Sequence, residues 1–161
     1  MNQIIKVAER RHELHKNHAS SRPLSPNYET IGLAGEFAFG RLTGIMPDLS
    51  ERPTGDGGVD FHLPLVFTVD VKTAEKAFNL LHEVGKEFCD IYVLAQTDDS
   101  GNNARLVGWE WGSTLKQAPT KDFGRGIVSH YIPREKLKPM SELAKRLTPC
   151  LGPAKCQDTQ I

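Results

Sequence analysis

Residues 59–72 read VDFHLPLVFTVDVK, and this stretch decides the fold. Apolar residues take every second position in both halves: Val59, Phe61 and Leu63, then Phe67, Val69 and Val71. An alternation of period two is typical of a strand with one buried face. Pro64 lies in the short link between the two halves, so the stretch predicts an antiparallel hairpin.

The polar residues of this hairpin share its other face. If the turn centres near Leu65, residues whose numbers sum to about 130 lie opposite each other, and Asp60 then faces Asp70. The Cβ atoms of directly opposed residues are about 4.5–5.5 Å apart, and two carboxylates at that distance repel unless a cation lies between them. Lys72, two residues beyond Asp70, points from the same face. The hairpin therefore predicts two acids and one ammonium group on one surface.

These side chains suit metal-dependent hydrolysis of a phosphodiester. A few carboxylates on rigid strands suit Mg²⁺, which takes oxygen ligands and keeps several waters. A metal there would bind a phosphate oxygen and activate a water for attack on phosphorus. Lys72 would orient that water or stabilise the charge of the transition state. We therefore predict Mg²⁺ as the cofactor, with Mn²⁺ able to replace it.

A third carboxylate, Glu36, lies on a helix predicted from about Thr30 to Thr43 and ended by Gly44. Its helical neighbours three and four positions away are apolar or small: Gly32, Leu33, Phe39 and Gly40. An acid on such a face needs a partner, which is a metal, a lysine or a helix cap. We expect helix packing to bring Glu36 to the cation, directly or through water.

Glu36 on a helix, followed by Gly57-Gly58-Val59-Asp60-Phe61 and Val69-Asp70-Val71-Lys72-Thr73, resembles the PD-(D/E)xK nuclease superfamily, in particular its small phage and prokaryotic members. The resemblance covers roughly residues 30–145, with Val59 where the motif has Pro. It implies a restriction-endonuclease-like α/β (α+β) fold: an αβββαβ core with a mixed central β-sheet flanked by helices. It also implies metal ligation by Asp60, Asp70 and the carbonyl of Val71. Lys72 would be the catalytic lysine, and Glu36 would support the site.

Three further residues are predicted to contact substrate. Lys76 follows the catalytic strand, His62 shares the face of Asp60, and Thr73 belongs to the matched motif. The alternative for His62 is an exposed strand histidine without a function. Trp109 and Trp111 share one face of a later strand, where packing in the core or a dimer is favoured over stacking on bases.

The remaining patterns predict one nuclease domain over residues 1–161. Residues 1–27 form a basic helix and a linker, 28–147 the catalytic core and 148–161 a loosely ordered tail. Further strands are predicted over 90–96, 104–111 and 130–133, and helices over 113–118 and 140–147. Residues 78–83 are ambiguous between strand and helix.

Composition excludes several classes of protein. The 161 residues are 39% hydrophobic, and their 20 basic and 20 acidic residues give no net charge. That balance argues against coating nucleic acid by bulk charge. Three cysteines without a C-x-x-C pair argue against a disulfide scaffold or a cysteine zinc site. No apolar run approaches the roughly 20 residues that span a bilayer, and no secretory signal is evident. We therefore expect a cytoplasmic protein without a membrane partner.

The predicted function is that of a Mg²⁺-dependent deoxyribonuclease, an endonuclease that binds DNA, with a homodimer expected where both strands are cut. Two alternatives stay open. One is a catalytically inactive nuclease-fold module that binds DNA or a protein. The other is an unrelated α+β protein whose Asp70-Val71-Lys72 is a salt-bridge pair on a solvated sheet face. A D-x-K triplet is a weak motif alone, but this one lies in an alternating strand, ten residues after another acid.

Overall fold

A computed structural model describes residues 28–49, 58–64, 67–124 and 126–151. Helix α1 spans Tyr28–Thr43 and is followed by strands β1 (Phe61–Leu63), β2 (Phe67–Ala74), β3 (Asn79–Glu83), β4 (Ile91–Thr97) and β5 (Ala104–Trp111). Then come helix α2 (Gly112–Lys116), strands β6 (Thr120–Asp122) and β7 (Val128–Pro133), a 3₁₀ turn (Arg134–Lys136) and helix α3 (Met140–Leu151). The predicted helix and linker over residues 1–27 lie outside the described residues.

The strands form two sheets. The first has the order β1-β2-β4-β5, with β2 and β4 parallel and the other two pairs antiparallel. The second is antiparallel, with the order β3-β7-β6. The predicted α+β class, with a mixed central sheet flanked by helices, is confirmed. The order of elements differs from the αβββαβ core that the resemblance implies, because within the described residues no helix lies between the four strands of the first sheet and a second sheet is added.

One face of the first sheet packs against helices α1 and α3. Its core is formed by residues from both layers: Phe39, Phe61, Leu63, Val69, Val71, Ile91, Val93, Ala95, Trp109, Leu143 and Leu147. Helix α1 comes very close to β2, because a Cβ atom at Gly35 would lie 1.9 Å from the Thr73 hydroxyl oxygen. A glycine is therefore required at that point of the helix for the two elements to touch.

The other face of the first sheet packs against the second sheet. A second core lies between the two sheets and includes Ala77, Leu80, Cys89, Tyr92, Leu94, Leu115 and Ile132. Successive side chains of a strand point to opposite faces. Val69, Val71 and Thr73 of β2 therefore point to the helices, and Asp70 and Lys72 point to the side of the second sheet.

Most predicted elements are confirmed. The hairpin has the expected register, with Phe61 opposite Val69 and Leu63 opposite Phe67. The ambiguous segment is strand β3, and strand β6 was not predicted. Helix α3 continues to Leu151, beyond the end predicted at residue 147, and the rest of the predicted tail lies outside the described residues.

The two tryptophans pack together at the end of β5. Trp109 is completely buried, and its ring makes an edge contact with Trp111 at a centroid distance of 5.1 Å. The packing interpretation is therefore confirmed. Among the helices of the described ranges, none is both long enough and apolar enough to cross a membrane.

Candidate active site

Asp70 and Lys72 form an ion pair on the face of β2 that looks toward the second sheet. The Lys72 Nζ atom lies 2.6 Å from Oδ2 of Asp70. Only 5% of the Asp70 side chain is exposed, whereas 41% of the Lys72 side chain is exposed. The carboxylate is thus held inside the protein, and the ammonium group connects it to solvent.

Asp60 joins this pair through the backbone of β2. Its N–H donates to the carbonyl of Val69, at 2.9 Å, although Val69 is the register partner of Phe61. Its Oδ2 atom accepts the N–H of Val71 at 2.6 Å. The hairpin ladder therefore departs from regular pairing at Asp60, because the side chain takes a backbone donor. In place of the predicted pairing of Asp60 with Asp70, the Asp60 carboxylate binds the backbone of β2 at Val71, the residue between Asp70 and Lys72 in the sequence.

The three charged groups act on one another. Burial lowers the pKa of Lys72, but the charge of Asp70 and its hydrogen bond raise it, Asp60 raises it further, and the net pKa lies above the ordinary value. Lys72 is therefore an ammonium group throughout the neutral range. A cation paired with Asp70 and attracted by Asp60 reduces the repulsion that the sequence predicted between the two carboxylates.

Cys89, Tyr92 and His82 lie buried beside the acids, and sequence analysis did not assign them to the site. Tyr92 is the register partner of Asp70 on β4, and its hydroxyl contacts Nδ1 of His82 at 3.1 Å and accepts the Cys89 N–H at 3.1 Å. The Cys89 thiol donates to the carbonyl of Gly58 at 3.2 Å. The parallel pairing of β2 with β4, which no local pattern reveals, brings these residues to the acids.

Burial dominates the pKa values of these neighbours. It raises the pKa of Cys89 to about 11, with a further increase from the charge of Asp70. It also raises the pKa of Tyr92 and lowers that of His82. All three groups are therefore neutral near pH 7, so the charges of the site come from the two acids and Lys72.

A side-chain contact fixes β4 against β2 near the acids. Oδ2 of Asp90 accepts both the N–H and the hydroxyl of Thr68, each at 2.8 Å, and the Asp90 N–H donates to the Thr68 hydroxyl oxygen at 3.0 Å. Thr68 stands two residues before Asp70 on β2. These bonds hold the start of β2 in the register that aligns Asp70 with Tyr92.

The structure does not bring Glu36 and Thr73 to this face. Glu36 is buried on α1, whose Gly35 meets Thr73 on the opposite face of β2. The Thr73 hydroxyl is buried there and has no hydrogen-bond partner among the described residues. The helix that carries Glu36 packs on the far side of the sheet because Val69, Val71 and Phe39 form a common core there.

The other two predicted substrate contacts lie near the edges of the site. His62 is exposed and pairs with Thr68, so it lies on the face of Asp70, toward the turn of the hairpin. Lys76 is exposed in the segment that follows β2. Both side chains are exposed, so a ligand bound at this site could contact them.

The donor set can be compared with the needs of a metal ion. Within the described ranges, no three side chains of the His, Cys, Asp and Glu types are grouped to hold a metal, so Glu36 does not complete such a group. Mg²⁺ commonly uses only one or two carboxylates, together with waters and substrate phosphate. The N–H and C=O of one strand residue point to the same neighbouring strand, so the Val71 carbonyl points to the side on which Asp60 accepts the Val71 N–H. Asp60, Asp70 and the Val71 carbonyl thus fit Mg²⁺ bound in this open manner.

Comparison with known proteins adds no relative from which a function could be transferred. No family model, no curated protein and no solved structure matches this chain.

Proposed function

We propose that this protein is a metal-dependent nuclease that hydrolyses DNA phosphodiester bonds and acts as an endonuclease. Asp60, Asp70 and the carbonyl of Val71 hold Mg²⁺, which Mn²⁺ can replace. Lys72 is the catalytic lysine. The resemblance to the PD-(D/E)xK superfamily gives the residue roles, and the contacts among Asp60, Asp70 and Lys72 support them.

Each residue has a separate part in this mechanism. When bound, the metal supplies a Lewis acid for the phosphate and lowers the pKa of a water. Asp60 is oriented by the Val71 N–H and Asp70 by the Lys72 ammonium group. Lys72 keeps its proton, so it donates to the attacking water or to a phosphate oxygen and stabilises the added negative charge. Its 41% exposure allows this contact with a bound substrate.

The observation that carries the proposal is the burial of Asp70. A salt bridge on a solvated face would leave its carboxylate in water, yet only 5% of this side chain is exposed. Desolvating a carboxylate costs several kcal/mol, which an ion pair offsets only in part. A second acid beside the pair increases that cost. Such an arrangement is typical of a functional site rather than of a solvent-exposed ion pair on the protein surface.

The test is cleavage of plasmid and single-stranded DNA with Mg²⁺, with Mn²⁺ and with a chelator. The variants are Asp70→Asn and Lys72→Gln, and the matched controls are Asp99→Asn in an exposed loop and Lys145→Gln on α3. We expect the two site variants to lose about 100-fold or more of the activity and the controls to keep it. Equal cleavage by all five proteins would contradict the proposal.

Metal binding has its own measurement. A ligand that binds only the folded state raises the Tm, so Mg²⁺ should raise the Tm of the wild type and of Asp99→Asn but not of Asp70→Asn. A wild type that binds DNA but cleaves none with either metal would favour the inactive nuclease-fold module. No cleavage together with no DNA binding would favour the unrelated α+β protein.

A further inference from the structure

Two arginines share one acceptor near the carboxyl end of β4. A guanidinium nitrogen of Arg105 lies 3.0 Å from Oε1 of Gln96, and one of Arg134 lies 3.3 Å from the same atom. The Gln96 amide nitrogen donates to the carbonyl of Glu75 at 3.0 Å. That bond fixes the amide, so its oxygen points at both arginines. The three side chains Gln96, Arg105 and Arg134 are called the arginine pair site below.

Nothing in the arginine pair site neutralises its charge. The shared acceptor is an amide oxygen without formal charge, and the Glu75 group that meets Gln96 is its backbone carbonyl. Of the ion pairs formed within the described ranges, none includes Arg105 or Arg134. Two guanidinium groups turned to one neutral oxygen repel each other. An anion that receives hydrogen bonds from both would remove this repulsion, and phosphate matches the planar fork of arginine.

The arginine pair site is on the same face of the first sheet as the acids. Leu94 is the register partner of Lys72, and Gln96 follows it by two residues on the same face. The displacement from Lys72 is therefore roughly 7 Å along the strands and about 4.8 Å across them. Phosphates follow one another with a rise of about 3.4 Å per nucleotide of a strand. A strand with one phosphate at Lys72 would present another to the arginine pair one to three nucleotides away.

We propose that Arg105 and Arg134, oriented by Gln96, bind a backbone phosphate of the nucleic acid near the phosphate that is cleaved. This inference rests on the proposed nuclease function. Arg105 is exposed and Arg134 is half-buried, so both side chains can reach a ligand from solvent. The contact holds the strand in register with the acids and reads no base sequence.

The experiment measures binding of a fluorescent DNA duplex by anisotropy, with a chelator present and Asp70→Asn as the parent, so that cleavage does not interfere. The logarithm of the binding constant is plotted against the logarithm of the salt concentration from about 50 to about 200 mM. Each phosphate contact contributes about 0.9 to the magnitude of the slope of this plot. The test variant adds Arg105→Gln and Arg134→Gln. The control adds Lys145→Gln and Arg146→Gln, which remove the same charge from exposed positions of α3.

Because both arginines bind one phosphate, we expect the magnitude of the slope to fall by about 0.9 in the test variant and to stay unchanged in the control. A second variant, Gln96→Glu, keeps an acceptor for both arginines but cancels one charge. It should lower the magnitude of the slope by less than about 0.9, without lowering the Tm. A folding defect in the double arginine variant would therefore not decide the result.

The outcomes separate the two proposals. If the wild type cleaves DNA while the arginine variants keep the parent slope, the arginine pair site is wrong and the nuclease proposal stands. If slopes fall equally in the test and control variants, the effect is one of bulk charge, and the inference is also wrong. If the wild type neither binds nor cleaves DNA, the nuclease proposal fails and this inference fails with it.

Discussion

Substituting alanine for Gly35 tests the packing of α1 on β2, on which the separation of Glu36 from the acids depends. The new Cβ would lie 1.9 Å from Oγ1 of Thr73, 3.1 Å from its Cβ and 3.2 Å from its Cγ2. Rotating Thr73 cannot relieve all three contacts, because the Cβ atom does not move. The helix or the strand must shift, and overpacking of this kind costs about 1–3 kcal/mol.

The matched control is Gly32→Ala on the same helix, where no atom of the residues that the structure describes lies within 4 Å of the added Cβ. Alanine in a helix is favoured over glycine by about 0.8–1.0 kcal/mol, so this control should be stabilised by about that amount. Gly35→Ala gains the same helix propensity but disturbs the packing of α1 against Thr73 of β2. Its free energy of unfolding should therefore lie about 1–3 kcal/mol below that of the control.

The assay is thermal unfolding followed by circular dichroism. At about 2–4 °C per kcal/mol for a domain of this size, the two Tm values should differ by roughly 2–12 °C. Adding Thr73→Ala to Gly35→Ala should recover part of the loss, since the Thr73 hydroxyl loses no hydrogen bond to any residue that the structure describes. Equal Tm values for Gly35→Ala and Gly32→Ala would refute the close approach of the helix and the strand.

Two further predictions concern buried ionisable groups. Lys138 is paired with Glu110, whose side chain is only 6% exposed. Lys138→Met should cost about 3 kcal/mol, because it leaves a buried carboxylate without its cation, whereas Glu110→Gln should cost less; denaturant titrations with equal losses would contradict this asymmetry. His82 is buried and its pKa is lowered. Between that pKa and about 6.5, the unfolded chain binds a proton that the folded chain does not. The contribution of neutral His82 to the free energy of unfolding is thus fully present above about pH 6.5 and is lost as the pH falls through the lowered pKa. The Tm of the wild type should fall more from about pH 7.5 to about pH 5 than that of His82→Gln, and equal falls would argue against this contribution.

Alternation in residues 59–72 was enough to predict the hairpin and its register. Phe61 and Val69 lie opposite each other as expected, because each must be buried on the same face. The departure at Asp60 could not be predicted in this way. A carboxylate that takes the Val71 N–H competes with the ladder, and a pattern of apolar and polar residues does not record that competition.

Two strands show where local patterns fail. In β3, Leu80 and His82 are buried on one face while Leu81 is half-buried on the other. Neither the period of two residues typical of a strand nor the period of 3.6 residues typical of a helix is therefore clear in the sequence. All three residues of β6 are exposed, and only its backbone pairing with β7 makes it a strand. Elements that bury little apolar surface leave no pattern in the sequence.

The acids and Lys72 could be predicted because they lie on one strand and its neighbour. Glu36 shows the limit of the same reasoning. Most of the circumference of α1 is apolar, so the sequence did not indicate which face of the sheet the helix covers. The neighbours Cys89, Tyr92 and His82 come from β4 and β3, and only the tertiary pairing of the strands brings them to Asp70.

The alternation of β2 also has a consequence for errors in folding. A slip of one residue would turn Asp70 and Lys72 into the core around Phe39 and expose Val69 and Val71 to the second sheet. Such a chain would bury an ion pair in place of two apolar side chains, so it could not compete with the native register. The register that buries Val69 and Val71 is thus the same register that keeps Asp70 and Lys72 out of the core around Phe39. Every molecule that has closed its core has therefore also brought Asp70 and Lys72 together, and the DNA cleavage that we propose should be the same per folded molecule after refolding as before unfolding.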